Sequence, residues 1–260
     1  MEADRRINRE FEISRVLSRT FETIGANLGP SLALALPLSG IPFALMHWWF
    51  AQNGYGSDNA AFAAAAETSG FWAPLAIVWT VNLATDAVLQ GTLIHATIRS
   101  LTGKPPRFAD ALERGFASLL PVLAISLIVA IGISLATLLL IIPGILLAIC
   151  WSAAVPAYVE ERTGITGSLG RSIDLARGEW GNIFLMMLIV GVGCWAASWV
   201  AGIFDGVLAI GGSMVLPALV HGLVSAMNRI VWITVVAAAY LELRSVKEGN
   251  VPSELETVFN

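Results

Sequence analysis

The chain has 260 residues, of which 56% are hydrophobic and only 13% charged, and its mean hydropathy is +0.73. Too few polar side chains remain to cover a soluble domain of that length, so a soluble globular fold is excluded and a bilayer is indicated as solvent. The formal net charge of −4 conceals a segregation of basic residues that says more than the sum, and no nucleic-acid partner is indicated.

Residues 1–27 are charged and amphipathic and lack the apolar core of a secretory signal peptide, so they are expected to be retained. A bilayer crossing needs about 20 predominantly apolar residues. Apolar stretches of 16 to 28 residues, read as the spans, follow at 28–50, 71–98, 116–139, 144–159, 182–204 and 215–241. Within the uncharged run 115–159, Pro143-Gly144 is the only adjacent pair of turn formers, and it predicts the turn of a tight hairpin. The segment 52–70 reads as a connecting loop with a short helix at 60–67.

Lys and Arg set the orientation, because their excess stays on the cytoplasmic side during insertion. Arg5, Arg6, Arg9, Arg15 and Arg19 precede the first span, and Arg99, Lys104, Arg107 and Arg114 separate the second from the third. Arg162, Arg171, Arg177, Arg244 and Lys247 fill the remaining segments of that side, whereas the opposite loops contain neither Lys nor Arg. An even count of spans follows, with both termini cytoplasmic, in a bacterial inner membrane. Trp48, Trp49 and Trp72 at one end and Trp180 at the other suit the interfacial belts.

Stacking the basic segments reveals a repeat. Leu17-Ser18-Arg19-Thr20-Phe21, Leu112-Glu113-Arg114-Gly115-Phe116 and Leu169-Gly170-Arg171-Ser172-Ile173 share the pattern Leu-x-Arg-small-apolar. Each sits in a lead-in with apolar residues at helical spacing, such as Ile13, Leu17, Phe21 and Ile24, and is expected to lie on the membrane surface. The exits also correspond: Ala157, Tyr158, Glu160 and Arg162 recur as Ala239, Tyr240, Glu242 and Arg244. The predicted fold is therefore an all-α membrane protein of six transmembrane helices in three hairpins, each preceded by a cytoplasmic amphipathic helix. Its units are 1–98, 99–160 and 161–245, with a tail at 246–260. Ile142-Pro143-Gly144, Trp151, Pro156, Glu160, Leu169, Arg171, Ser172, Leu175, Arg177, Gly178 and Trp180 together resemble the bacterial membrane families that include the glycerophosphoryl diester phosphodiesterase membrane domain and the YciC-like proteins. The resemblance implies a fold without implying a hydrolase, since the catalytic domain of fused members is separate.

A charge at the bilayer centre costs at least about 2.5 to 3.5 kcal/mol on insertion scales, so it needs a partner, water or a task. In the second span Asn82, Asp86 and Gln90 are four apart and share a stripe. His221, Ser225, Asn228 and Arg229 form a second stripe in the sixth span. Counting residues from the non-basic ends places Asp86 and Arg229 at one depth. We expect an intramembrane ion pair between them, supported by Asn82, Gln90, His221 and Asn228.

Other features point elsewhere. His47, His95 and His221 are scattered along the chain, so no shared metal site and no cofactor are expected. Cys150 and Cys194 fall in apolar spans and read as small hydrophobes. Gly132 with Ala136, and Gly193 with Ala197 and Ala201, suggest close helix packing. No catalytic motif is present, so an enzyme is the least favoured class. A membrane module that organises a complex or the envelope stands first. A small transporter or lipid-handling protein stands second, favoured by the polar stripes and by Pro30, Pro37, Pro42 and Pro156. The expected partners are the lipid bilayer, anionic headgroups near the basic residues and a further membrane protein.

Overall fold

The computed structural model describes residues 11–55, 59–208 and 213–249. Arg5, Arg6 and Arg9, and the tail from 250 to 260, lie outside the described residues. Every regular element among those described is a helix: α1 (Ile13–Ala35), α2 (Ile41–Gln52), α3 (Asn59–Ala66), α4 (Ser69–Leu101), α5 (Phe108–Ala117), α6 (Leu119–Leu139), α7 (Ile141–Cys150), α8 (Ala154–Glu161), α9 (Gly164–Ala176), α10 (Trp180–Ile203), α11 (Asp205–Leu208) and α12 (Val215–Glu248). A π-helical turn, Leu36–Gly40, joins α1 to α2.

Six helical stretches are long and apolar enough to cross a membrane: Ile13–Gln52, Gly70–Leu101, Leu119–Leu139, Ile141–Glu161, Trp180–Ile203 and Val215–Glu248. Large apolar side chains cover their outer surface, with Leu138 84% and Trp195 66% exposed. A soluble protein would not present so much contiguous apolar area to water. The chain is accordingly a multi-pass membrane protein by the length, composition and outward apolarity of its helices.

The first span is longer than its hydropathy predicts, because its lead-in continues into it as one helix. The two are separated at Asn27, whose backbone leaves the helical region (φ −125°, ψ 20°) three residues before Pro30. Proline has no N–H to give to the carbonyl at i−4, and its ring crowds that carbonyl, which explains the kink. The other two lead-ins break more fully, α5 at Ser118 and α9 at Arg177 and Gly178, where the glycine takes φ 86°.

The turn between the third and fourth spans falls at Leu140, in extended backbone (φ −158°, ψ 142°), and not at Pro143-Gly144. Pro143 instead occupies the first turn of α7, where its missing N–H would have had no intrahelical partner. Gly144 then brings α7 onto α6, leaving no room for a Cβ against Thr137. The fourth span is itself interrupted at Trp151 to Ala153, between α7 and α8.

The core lies toward the basic end of the bundle. Ala87, Leu89, Leu93, Ile94 and Ile98 of α4 join Ile230, Ile233, Tyr240 and Leu243 of α12 in it. Each lead-in helix buries a stripe against the span that precedes it, or, for α1, against the last span. On α1 the stripe is Val16, Thr20, Thr23 and Ile24; on α9 it is Ser168, Ser172, Leu175 and Ala176; on α5 it is Ala111 and Gly115. Phe21 and Phe116 stand on the outer faces, 60% and 58% exposed, whereas Ile24 turns into the core.

The contacts at these stripes are polar and close. A Cβ on Gly115 would meet Thr92 Oγ1 and lie 2.7 Å from the Val88 carbonyl. Ser172 Oγ donates to the Cys150 carbonyl at 2.7 Å and accepts from the Ala153 N–H at 3.1 Å, satisfying backbone groups freed by the interruption in the fourth span. Arg171 Nε donates to both oxygens of Glu161 at 3.0 Å, and the Tyr240 hydroxyl donates to Glu161 Oε1 at 2.7 Å. Arg15 donates to Glu242, which is only 2% exposed, and Arg19 approaches the other oxygen of that carboxylate at 3.5 Å. Burial works against the charge of Arg171, but its bonds to Glu248 and Glu161 outweigh that and hold its pKa above the usual arginine value. Glu160, exposed, takes no part in these pairs; its neighbour Glu161 does.

Candidate functional site

Two long helices carry the intramembrane polar residues. Asp86 lies 17 positions after Ser69 in α4 and Arg229 lies 14 after Val215 in α12, which at about 1.5 Å per residue puts them about 25 and 21 Å from their non-basic ends. The packing of α4 on α12 turns the two side chains toward each other. Arg229 Nε stands 3.1 Å from Asp86 Oδ1. Oδ1 is buried yet accepts no well-directed hydrogen bond, so the contact is an ion pair without hydrogen-bond alignment. Gln90, one turn along α4, donates to Asp86 Oδ2 at 3.0 Å. Asp86 is 15% exposed and Arg229 44%, so the carboxylate is enclosed and the guanidinium is presented to open space.

That space consists of three cavities that share Arg229. One of about 100 Å³ is lined by Asp86, Asn82, Ser39, Phe43 and Ser225. A second, of about 370 Å³, is lined by Asn228, Ser198, Cys194, His221 and Ser225. A third, of about 470 Å³, reaches Gln90, Ser126, Ser152 and Trp151 among largely apolar walls. Ser39 belongs to the π-helical turn of the first span, whose second residue is Pro37. A single extra residue per turn at such a place re-aims the side chains that follow it, and π-turns recur at working sites for that reason.

The remaining expected members of the constellation sit near the pair but bond elsewhere. Asn82 donates to the carbonyl of Val78 on its own helix at 2.9 Å. Asn228 reaches across to α10, donating to the Cys194 carbonyl at 3.1 Å and to Ser198 Oγ at 3.0 Å. His221 Nε2 pairs with Asp205, 3.0 and 3.1 Å from its two oxygens, and its ring stacks on that of His47 with centroids 4.1 Å apart and planes 20° from parallel. The direct supporter of the ion pair is therefore Gln90 alone among the four; Asn82, Asn228 and His221 line the adjoining space.

The histidines are thus not scattered in space. His47, His221 and Asp205 bring ligand-type atoms to within 4.8 Å of one another near the non-basic end. His95 is separate: 6% exposed, it lies among the charges of Arg114, Arg99, Arg162 and Asp110, and neither of its ring nitrogens is hydrogen-bonded. Gly193 has no atom within 4 Å of where a Cβ would be, so small-residue packing does not explain it within this chain, whereas Gly132 lies hard against Trp151.

No protein-family model, curated protein or solved structure matches the chain. The sequence reading weighed His47 and set it aside, and it did not single out Asp205, although a signal existed. His47 precedes the end of its span by about as many residues as His221 follows the start of its own, and Asp205 begins the loop that leads to it.

Proposed function

We propose that the chain is a small transporter or lipid-handling protein of a bacterial inner membrane, with both termini in the cytoplasm. It would act through the polar cavity centred on Arg229, and no reaction is assigned to it. The observation that carries this is a guanidinium deep within the span region that is 44% exposed to three cavities. A pair serving helix assembly alone favours a closed, dry setting in which both partners are covered. A site for a polar or amphipathic solute favours what is found here: an anchored acid, a cation left accessible, and a roomy wall that changes from polar to apolar.

The threefold organisation belongs to this reading. It is supported by the matching buried stripes of α1, α5 and α9 and by the way each packs on an exit segment. The lead-ins would lie at the cytoplasmic interface, their exposed Phe21 and Phe116 in the acyl region and their arginines near anionic headgroups. The first exit differs from the others, because Arg99 stands where the acids stand in the second and third.

Cys194 lines the cavity with Arg229 and supplies a native probe. In a Cys150→Ser background reconstituted in nanodiscs, charged methanethiosulfonates of either sign, which do not partition into lipid, are expected to modify Cys194 in the folded protein. Modification only after unfolding would mean a dry bundle, and would return the function to a membrane module that organises other proteins.

A further inference from the structure

We propose that His47, His221 and Asp205 form a binding site for a divalent transition-metal ion of the zinc class. Three elements converge there: α2 of the first span brings His47, α11 brings Asp205, and α12 brings His221. The three ligand atoms lie within 4.8 Å of one another. Metal–donor bonds of about 2.0 to 2.2 Å in a tetrahedral shell put donors about 3.3 to 3.6 Å apart. His221 Nε2 already stands 3.0 and 3.1 Å from the oxygens of Asp205, so an ion replacing the shared proton there needs little movement. The His47 ring closes the third side with a rotation.

A further observation points to a ligand. His47 Nδ1 is buried and has no hydrogen-bond partner, which is costly for a ring nitrogen unless something binds it. The rotation of the His47 ring would open its stack on His221, whose centroids now stand 4.1 Å apart. Two imidazoles and one carboxylate suit zinc and its first-row neighbours rather than calcium or magnesium, and they leave a fourth position for water or a solute. His221 also lines the cavity that contains Arg229. Eight residues separate the two, about 12 Å along the helix, so the ion would sit at the non-basic mouth of that space. The site stands whether or not the cavity carries a solute, and thiol labelling of Cys194 neither supports nor removes it.

Cobalt(II) tests this with a colour of its own. Full-length protein purified through a histidine-free tag is stripped with chelator, loaded with cobalt(II) and dialysed. About one ion per chain should remain, with visible absorption in the range of a tetrahedral or five-coordinate site, and zinc(II) should displace it. His47→Gln, His221→Gln and Asp205→Asn should each reduce retained cobalt by about tenfold or more while helical circular dichroism and elution volume stay as in the wild type. Asp110→Asn, a carboxylate change at the opposite end, should retain it. Wild-type retention below about 0.1 ion per chain, or full retention in both histidine variants, would overturn the proposal. Should either histidine variant fail to fold, Asp205→Asn, at a position 37% exposed, takes its place, and full retention of cobalt there would overturn the proposal equally.

Discussion

Gly40 and Gly222 face each other so closely that a Cβ on the first would lie 2.9 Å from the carbonyl oxygen of the second, and a Cβ on the second 2.6 Å from that of the first. The π-helical turn of the first span and the first half of α12 meet here backbone to backbone, with the Cβ atoms of Ala44 and Ala226 beside them. Contact of this kind drives helix association in lipid, where apolar side chains gain nothing by leaving the acyl phase. Gly222→Val is expected to lower stability by about 1 to 3 kcal/mol through overpacking, read as a drop in thermal melting in mild detergent. Melting unchanged within about 1 °C would mean the two helices are not held at this distance.

Asp86→Ala leaves Arg229 without its counter-charge. Arg229 is 44% exposed, so the expected loss is about 2 to 4 kcal/mol, below the full cost of an orphaned buried ion. The double variant Asp86→Arg with Arg229→Asp should recover at least half of what either single variant loses, measured by melting and by yield of monodisperse protein. If it recovers nothing, the two groups do not pair directly.

Glu242 and Glu161 receive arginines from different lead-in helices, but Glu242 is 2% exposed and Glu161 18%. Glu242→Ala should therefore be the more damaging, at about 1 to 3 kcal/mol. The figure is discounted because Arg15 and Arg19, 35% and 48% exposed, regain water when released. Hydrogen exchange should rise throughout α1 in this variant. A rise confined to α9 would mean that α1 is held by some other contact.

Ser172→Ala removes one hydroxyl that serves two backbone groups at the interruption of the fourth span. The expected cost is about 1 to 3 kcal/mol, because the Cys150 carbonyl and the Ala153 N–H are left unsatisfied. Ser172→Thr keeps the hydroxyl and should restore most of it. Equal melting of the alanine and threonine variants would mean that the hydroxyl bridges nothing of consequence.

Level along the helices was legible in the sequence, because it is a matter of counting residues from the ends of apolar runs. The shared level of Asp86 and Arg229 comes from such counting, the six helices of spanning length from hydropathy, and the short helix near 60–67 from an alanine-rich run. Rotation about each helix axis was not, since a span that is apolar all round gives no moment from which to read a buried face. That is why Asn228 turned out to bond α10, why His47 was not placed beside His221, and why the surroundings of Gly193 could not be foreseen. Pro143 misled for a different reason: proline marks both turns and the first turn of a helix, and only the neighbouring backbone at Leu140 decides between them.

The attachment of Arg15 to Glu242 spans 227 positions, and it has a consequence for biogenesis. The amino-terminal helix is made first, yet the carboxylate that receives its arginines belongs to the final crossing. At the usual 5 to 20 residues per second, roughly 10 to 45 s of translation separate the two. During that interval α1 lacks its principal packing partner, so its docking on α12 is the last act of assembly, and a chain terminated before α12 would leave Arg15 and Arg19 without the acid that receives them.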